Sequence, residues 1–215
     1  MTTAGGTITG SSTSTEAIGI YIESGASTLQ TSKNVTLMGD KSVGVYINDT
    51  LGSMNYTNTG TITIGNALLQ SNPSVGIYSN AQSMTEQGNI TVGDNAIGLY
   101  SSKIGSTVKL DTSGMISVGE NGTGIYKLGG TLQIDGTLKA LGSDSVGAYV
   151  EGGTVTNRST SLVIGSNAYG IVGVAGTGTT SITNNSSNVT IGDNSVFIYS
   201  SDTGGTITNN ANLTS

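Results

Sequence analysis

The chain has 215 residues, of which 9% are charged and 34% hydrophobic, with a formal net charge of −6 and 34 glycines against one proline. It has no cysteine and no histidine, which removes disulfides, thiolate and imidazole metal ligands and the commonest nucleophile–base pairs. The acidic balance argues against nucleic acid, which needs a basic stripe to neutralise its phosphates, and disfavours docking on anionic lipid, and no apolar run approaches the roughly 20 residues of a membrane helix.

Charge and apolar content are both low for a folded domain, yet the apolar residues fall at fixed phases of a repeat. In chain order, a small residue, Val or Ile, Gly, an aliphatic residue and Tyr recur as Ala17-Ile18-Gly19-Ile20-Tyr21, Ser42-Val43-Gly44-Val45-Tyr46, Ser74-Val75-Gly76-Ile77-Tyr78 and Ala96-Ile97-Gly98-Leu99-Tyr100. The same phrase continues as Gly122-Thr123-Gly124-Ile125-Tyr126, Ser145-Val146-Gly147-Ala148-Tyr149, Ala168-Tyr169-Gly170-Ile171-Val172 and Ser195-Val196-Phe197-Ile198-Tyr199. The last positions step by 25, 32, 22, 26, 23, 23 and 27 residues. Ahead of each phrase lie two further strand-like pieces. The first centres on one apolar residue among polar ones, as in Thr107-Val108-Lys109 or Thr154-Val155-Thr156. The second alternates and ends at glycine, as in Ile90-Thr91-Val92-Gly93 or Val189-Thr190-Ile191-Gly192.

Period-2 alternation sends one parity inward and the other outward. The pattern therefore predicts Ile90, Val92, Ile97 and Leu99 inside, with Thr91, Gly98 and Tyr100 outside. Corners such as Gly93-Asp94-Asn95 and Gly119-Glu120-Asn121 supply residues that tolerate positive φ. Three strands per turn and a period in the low twenties predict an all-β, right-handed parallel β-helix (β-solenoid) of about eight coils of roughly 22–27 residues. One coil buries too little to fold alone. The chain opens inside a coil at Thr7-Ile8-Thr9 and stops inside another beyond Thr206, reaching Leu213, with no capping helix. Residues 1–215 are thus expected to be one solenoid segment, a slice of a longer array. Met1-Thr2-Thr3 opens no signal peptide.

Few residues remain for chemistry. Asp40, Asp94, Glu120 and Asp193, with Asn66 and Ser166 at matching places, read as corner formers; a broken row of Ca²⁺ ligands is the alternative. A single Arg, scattered Lys and short loops argue against a polysaccharide-cleaving cleft. No catalytic residue, cofactor or metal site is expected. An outward Thr column (Thr9, Thr36, Thr63, Thr91, Thr190 and Thr214, with Ser117) resembles an ice-binding array, broken at Lys139 and Val163. The most distinctive surface feature is the tyrosine column, Tyr21, Tyr46, Tyr78, Tyr100, Tyr126, Tyr149 and Tyr199, beside a glycine track from Gly19 to Gly170. It reads either as an aromatic ladder that stabilises stacking or as the wall of a shallow groove for sugar rings or an extended peptide. The corner Asn66–Pro73 is about six residues longer than its equivalents. It either folds back over a neighbouring coil or offers Leu68 and Leu69 to a partner. The candidate partner-binding residues are thus Tyr46, Tyr78, Tyr100, Tyr126, Tyr149, Leu68 and Leu69.

The repeated string, in forms such as Asn188-Val189-Thr190-Ile191-Gly192-Asp193-Asn194-Ser195-Val196, resembles the passenger repeats of large bacterial type V autotransporter adhesins, the fusobacterial outer-membrane adhesins among them. The resemblance covers essentially the whole chain. It implies a β-helical stalk at the bacterial cell surface, outer-membrane anchored or secreted, that meets a host or bacterial surface protein or glycan without inserting into the membrane itself. A self-associating structural solenoid is the second reading; a carbohydrate-active or ice-binding solenoid is the third.

Overall fold

A computed structural model describes residues 2–3, 6–25 and 27–212; Met1, Leu213 and Thr214 lie outside the described residues. Among those residues the chain is all-β, with strands in three parallel sheets of nine, eight and eight members. The fourth coil shows the plan: Ser83–Glu86 on the first face, Asn89–Val92 on the second, Ile97–Ser101 on the third. Each strand pairs only with its counterparts one coil before and one coil after, three strands further along the chain. The register is unslipped, so Ile90 sits opposite Ile62 on one side and Ile116 on the other. The result is a β-solenoid of about eight coils with three strands each.

The second face behaves as its alternation predicts. Ile62, Ile90, Ile116, Leu138 and Leu162 form one fully buried column, while Thr36, Thr63, Thr91, Ser117, Lys139, Val163 and Thr190 follow one another outside. The corner after this face turns through the left-handed region at Glu16, Lys41, Asn95, Asn121, Asp144, Asn167 and Asn194, with φ between 52° and 57°. Asn and Asp take this conformation easily; Glu16 and Lys41 take it at a steric cost. The gain is a hydrogen bond to the next coil: Asn95 N donates to Glu120 O and Asn167 N to Asp193 O, both at 2.8 Å.

The third face departs from the expected alternation. Ile97 faces outward, half-buried, whereas Gly98 and Leu99 both face the core. Pairing reflects this: Ile97 aligns with Thr123 and Leu99 with Ile125, and the register skips the glycine. Two consecutive inward residues bend the strand as a bulge does, and the bulge repeats in every coil that carries the phrase. Glycine is required for closeness rather than for φ. A Cβ on Gly98 would stand 2.6 Å from Gly124 O and 2.8 Å from Ile116 Cγ2. The small residue that opens each phrase is inward for a related reason: Ser42, Ser74, Ala96 and Ser145 are buried at the corner.

The first face holds a second inward position that the sequence pattern does not reveal. Two residues after the apolar centre come Thr31, Asn58, Glu86, Leu110, Ile134, Asn157 and Asn184, all buried. Asn157 Nδ2 donates to Asn184 Oδ1, and Asn184 Nδ2 donates to Asn209 Oδ1, each at 2.7 Å. Asn184 also closes its own corner, taking Ser186 N on Oδ1. Satisfied in this way, amides are tolerated in a core that would otherwise exclude them.

Substituting Gly98→Ala forces backbone apart rather than a flexible side chain. It should cost about 1–3 kcal/mol, read as a lower denaturation midpoint. Ala substituted at the exposed Gly105 serves as the comparison, since a Cβ there meets nothing within 4 Å, leaving only the strain of its positive φ.

Candidate functional site: a stacked tyrosine column

The outward residue after the bulge is the tyrosine, and unslipped pairing places Tyr21, Tyr46, Tyr78, Tyr100, Tyr126 and Tyr149 directly above one another. Their rings stack with centroids 4.7–5.4 Å apart and planes inclined by 7–28°. Because the stacking direction is the rod axis, each ring covers the face of the next. Water sees mainly ring edges and hydroxyl groups, so the rings from Tyr46 to Tyr149 are only half-exposed.

The strip beside the column is not glycine. The glycines point inward, and the outward neighbours are Val43, Ile97, Thr123 and Val146, with Val75 buried at the same register position. The expected glycine-floored groove is therefore an aliphatic ridge. Burial, together with neighbouring phenols or Glu151, raises the hydroxyl pKa values of Tyr46, Tyr100 and Tyr149 above the ordinary tyrosine range. Tyr126 is raised furthest, by burial and by donating its hydroxyl hydrogen to Glu151.

The structure brings the predicted tyrosines together and keeps the two leucines apart from them. In the long corner, Leu68 N donates to Asp40 Oδ1 at 2.8 Å and Gln70 Nε2 to Asn121 O at 3.3 Å. The segment thus folds back along the rod edge and touches coils on both sides of its own. Leu68 and Leu69 project outward, 79% and 62% exposed. Gln70 and Pro73, not the leucines, face Ile97, Thr123 and Tyr126 across a cleft of about 150 Å³.

Two of the corner carboxylates, Asp40 and Asp94, are engaged with backbone. Asp94 Oδ1 accepts from Glu120 N at 2.9 Å, and Asn66 Nδ2 donates to Asp94 Oδ2 at 2.9 Å. Among the described residues no group of three or more Asp or Glu is placed to share a cation.

Glu86 and Lys127 are fully buried ionisable residues that the sequence reading did not place. Glu86 sits at the second inward position of the first face, and Lys127 at the inward position after Tyr126, where other coils have Ile47 or Val150. Phase marks Lys127 once the bulge is allowed for; at Glu86 no sequence signal does. Burial pushes the Glu86 carboxyl up to about 8, opposed by hydrogen bonds from Asn58 Nδ2 and Gly88 N. Burial pushes the Lys127 ammonium down to about 8; it donates to Lys103 O and Leu128 O, both at 3.0 Å.

Comparison with protein-family models, with curated proteins and with solved structures returns no match to this chain.

Tyr100→Ala opens the column between Tyr78 and Tyr126 and should lower stability by about 1–3 kcal/mol, whereas Tyr100→Phe keeps the stack and the stability; urea denaturation of both variants checks this. The buried charges set a pH profile. Between about 4.5 and about 8 the folded state holds the Glu86 proton that the unfolded chain releases, so stability falls as pH rises. Between about 8 and 10.5 the unfolded chain holds the Lys127 proton that the folded state lacks, so stability rises again. Thermal denaturation from pH 5 to 10 should show a minimum near pH 8. Glu86→Gln should flatten the acid limb and Lys127→Met the alkaline one.

Proposed function

We propose that this segment is part of the passenger of a bacterial surface adhesin of the autotransporter type, serving as a rigid stalk and as a surface for contact with a host or bacterial protein or glycan. The observation that carries the reading is continuity: coils pair in one unslipped register from the first face to the last, around a single apolar column. Such a rod transmits position without a hinge, which suits a spacer that holds a contact surface away from the cell. The repeat resemblance supports the surface location. Asp40 and Asp94 serve the backbone at their corners, and the stacked tyrosines turn their edges outward, so these side chains are already engaged in holding the rod.

Displaying residues 1–215 on a non-adherent bacterium through a heterologous barrel anchor tests this. Adherence to host cells or partner bacteria should rise above that of the anchor alone, and excess soluble segment should compete it away. If display changes nothing while the purified segment assembles in solution, the adhesin reading falls and a self-associating structural role replaces it.

A further inference from the structure

The tyrosine column has one gap. At the seventh coil the residue in register with Tyr149 below and Tyr199 above is Val172. A cavity of about 380 Å³ lies there, lined by Val146, Tyr149, Tyr169, Val172 and Tyr199. Val172 is 8% exposed and forms the floor. Tyr149 and Tyr199 stand two strand spacings apart along the rod, roughly 9.5 Å, an interval that elsewhere in the column a tyrosine ring fills. Tyr169 contributes a third ring, at a position where the coils on either side carry Val146 and Val196. Stacking in the column ends at Tyr149. Among the described residues Tyr169 and Tyr199 stack on no other ring, and they are 37% and 47% exposed.

We propose that this gap is a binding site for a quaternary ammonium ion of the trimethylammonium class. The argument begins with size. Subtracting the half-thicknesses of two rings leaves about 6 Å, which admits a tetrahedral trimethylammonium group as well as a flat ring of the kind that fills this interval elsewhere in the column. A nitrogen at mid-gap stands about 5 Å from both ring centres, within the roughly 6 Å over which a cation is drawn to an aromatic face. Chemistry narrows the choice further. The walls are phenol rings and the floor is valine, so the site offers methyl contacts and few acceptors. A primary ammonium would lose its hydration there without replacement, whereas a quaternary one has no N–H to satisfy. Charge agrees: the chain carries −6 overall, and the negative field of Glu151 reaches the Tyr149 hydroxyl. The cations Lys139 and Arg158 lie on the second face and before it, away from the gap. This inference does not depend on the adhesin reading.

Calorimetric titration of the whole chain tests it, with choline and tetramethylammonium as probes and 3,3-dimethylbutan-1-ol as the neutral isostere. Choline should bind saturably and about tenfold more tightly than the alcohol. Val172→Tyr should restore the stack, raise the melting temperature and abolish choline binding. Tyr169→Val, which installs the residue of the neighbouring coils, should weaken binding about tenfold while the chain stays folded. Co-sedimentation with phosphatidylcholine vesicles then assigns the group to a lipid headgroup, and choline binding without co-sedimentation assigns it to a soluble or glycan-linked source; either result supports the site. Equal binding of choline and the alcohol, tighter binding of phenol or a methyl glycoside, retained binding in Val172→Tyr, or no saturable binding would each overturn it.

Discussion

Each strand residue inside this rod lies beside its counterpart from the next coil, about one strand spacing away. A side chain is acceptable only if it packs well against itself or its close relatives. That single requirement orders the rest. Aliphatic residues stack into a column, phenol rings lie face to face, and amides pass hydrogen bonds from one asparagine to the next. Glycine persists in the bulge because the carbonyl of the glycine above occupies the space of its Cβ. The same requirement accounts for the scarcity of charge, since a charge repeated at each level would face its like. Where charges do cluster, opposite signs are brought into contact: Lys109 Nζ lies 2.7 Å from Asp111 and 3.7 Å from Asp135, and Arg158 Nε lies 2.9 Å from Asp135.

Much of this was legible in the sequence, and the limits of that legibility have physical causes. The second face alternates strictly, so Ile90 and Val92 could be placed inside and Thr91 outside. The tyrosines were placed correctly because the position that follows the bulge resumes the outward phase. Ile97 and Gly98 were reversed because a bulge shifts phase by one residue, and alternation alone carries no sign of it. The buried amides and Glu86 were hidden because a polar residue is ordinarily an outward one. Only the partners supplied one coil away, such as Asn58 for Glu86, make the inward position tolerable. The path of the long corner after Gly65 depended on side-chain reach, with Gln70 finding a carbonyl 51 residues along the chain.

The candidate site illustrates the difference between a repeated feature and an interrupted one. A perfect ladder spends its aromatic faces on itself and presents edges. A departure from the repeat releases faces, and Val172 with Tyr169 is such a departure. In an array built by repetition, places where the repeat fails carry more functional information than places where it succeeds. The long corner at Asn66–Pro73 and the buried Lys127 belong to the same class of exceptions, the first altering the rod's outline and the second its response to acidity.

One more property follows from coils that pair only with the coils beside them. Tension applied to the two chain termini need not break the whole rod at once, because an outermost turn can peel away and leave the remainder intact. A turn of 23 residues, such as that from Tyr126 to Tyr149, occupies about 5 Å of rod when wound and about 80 Å when drawn straight. Pulled by its ends, such a molecule yields in small steps of long travel, dissipating load as a fuse of many links rather than snapping as a bar.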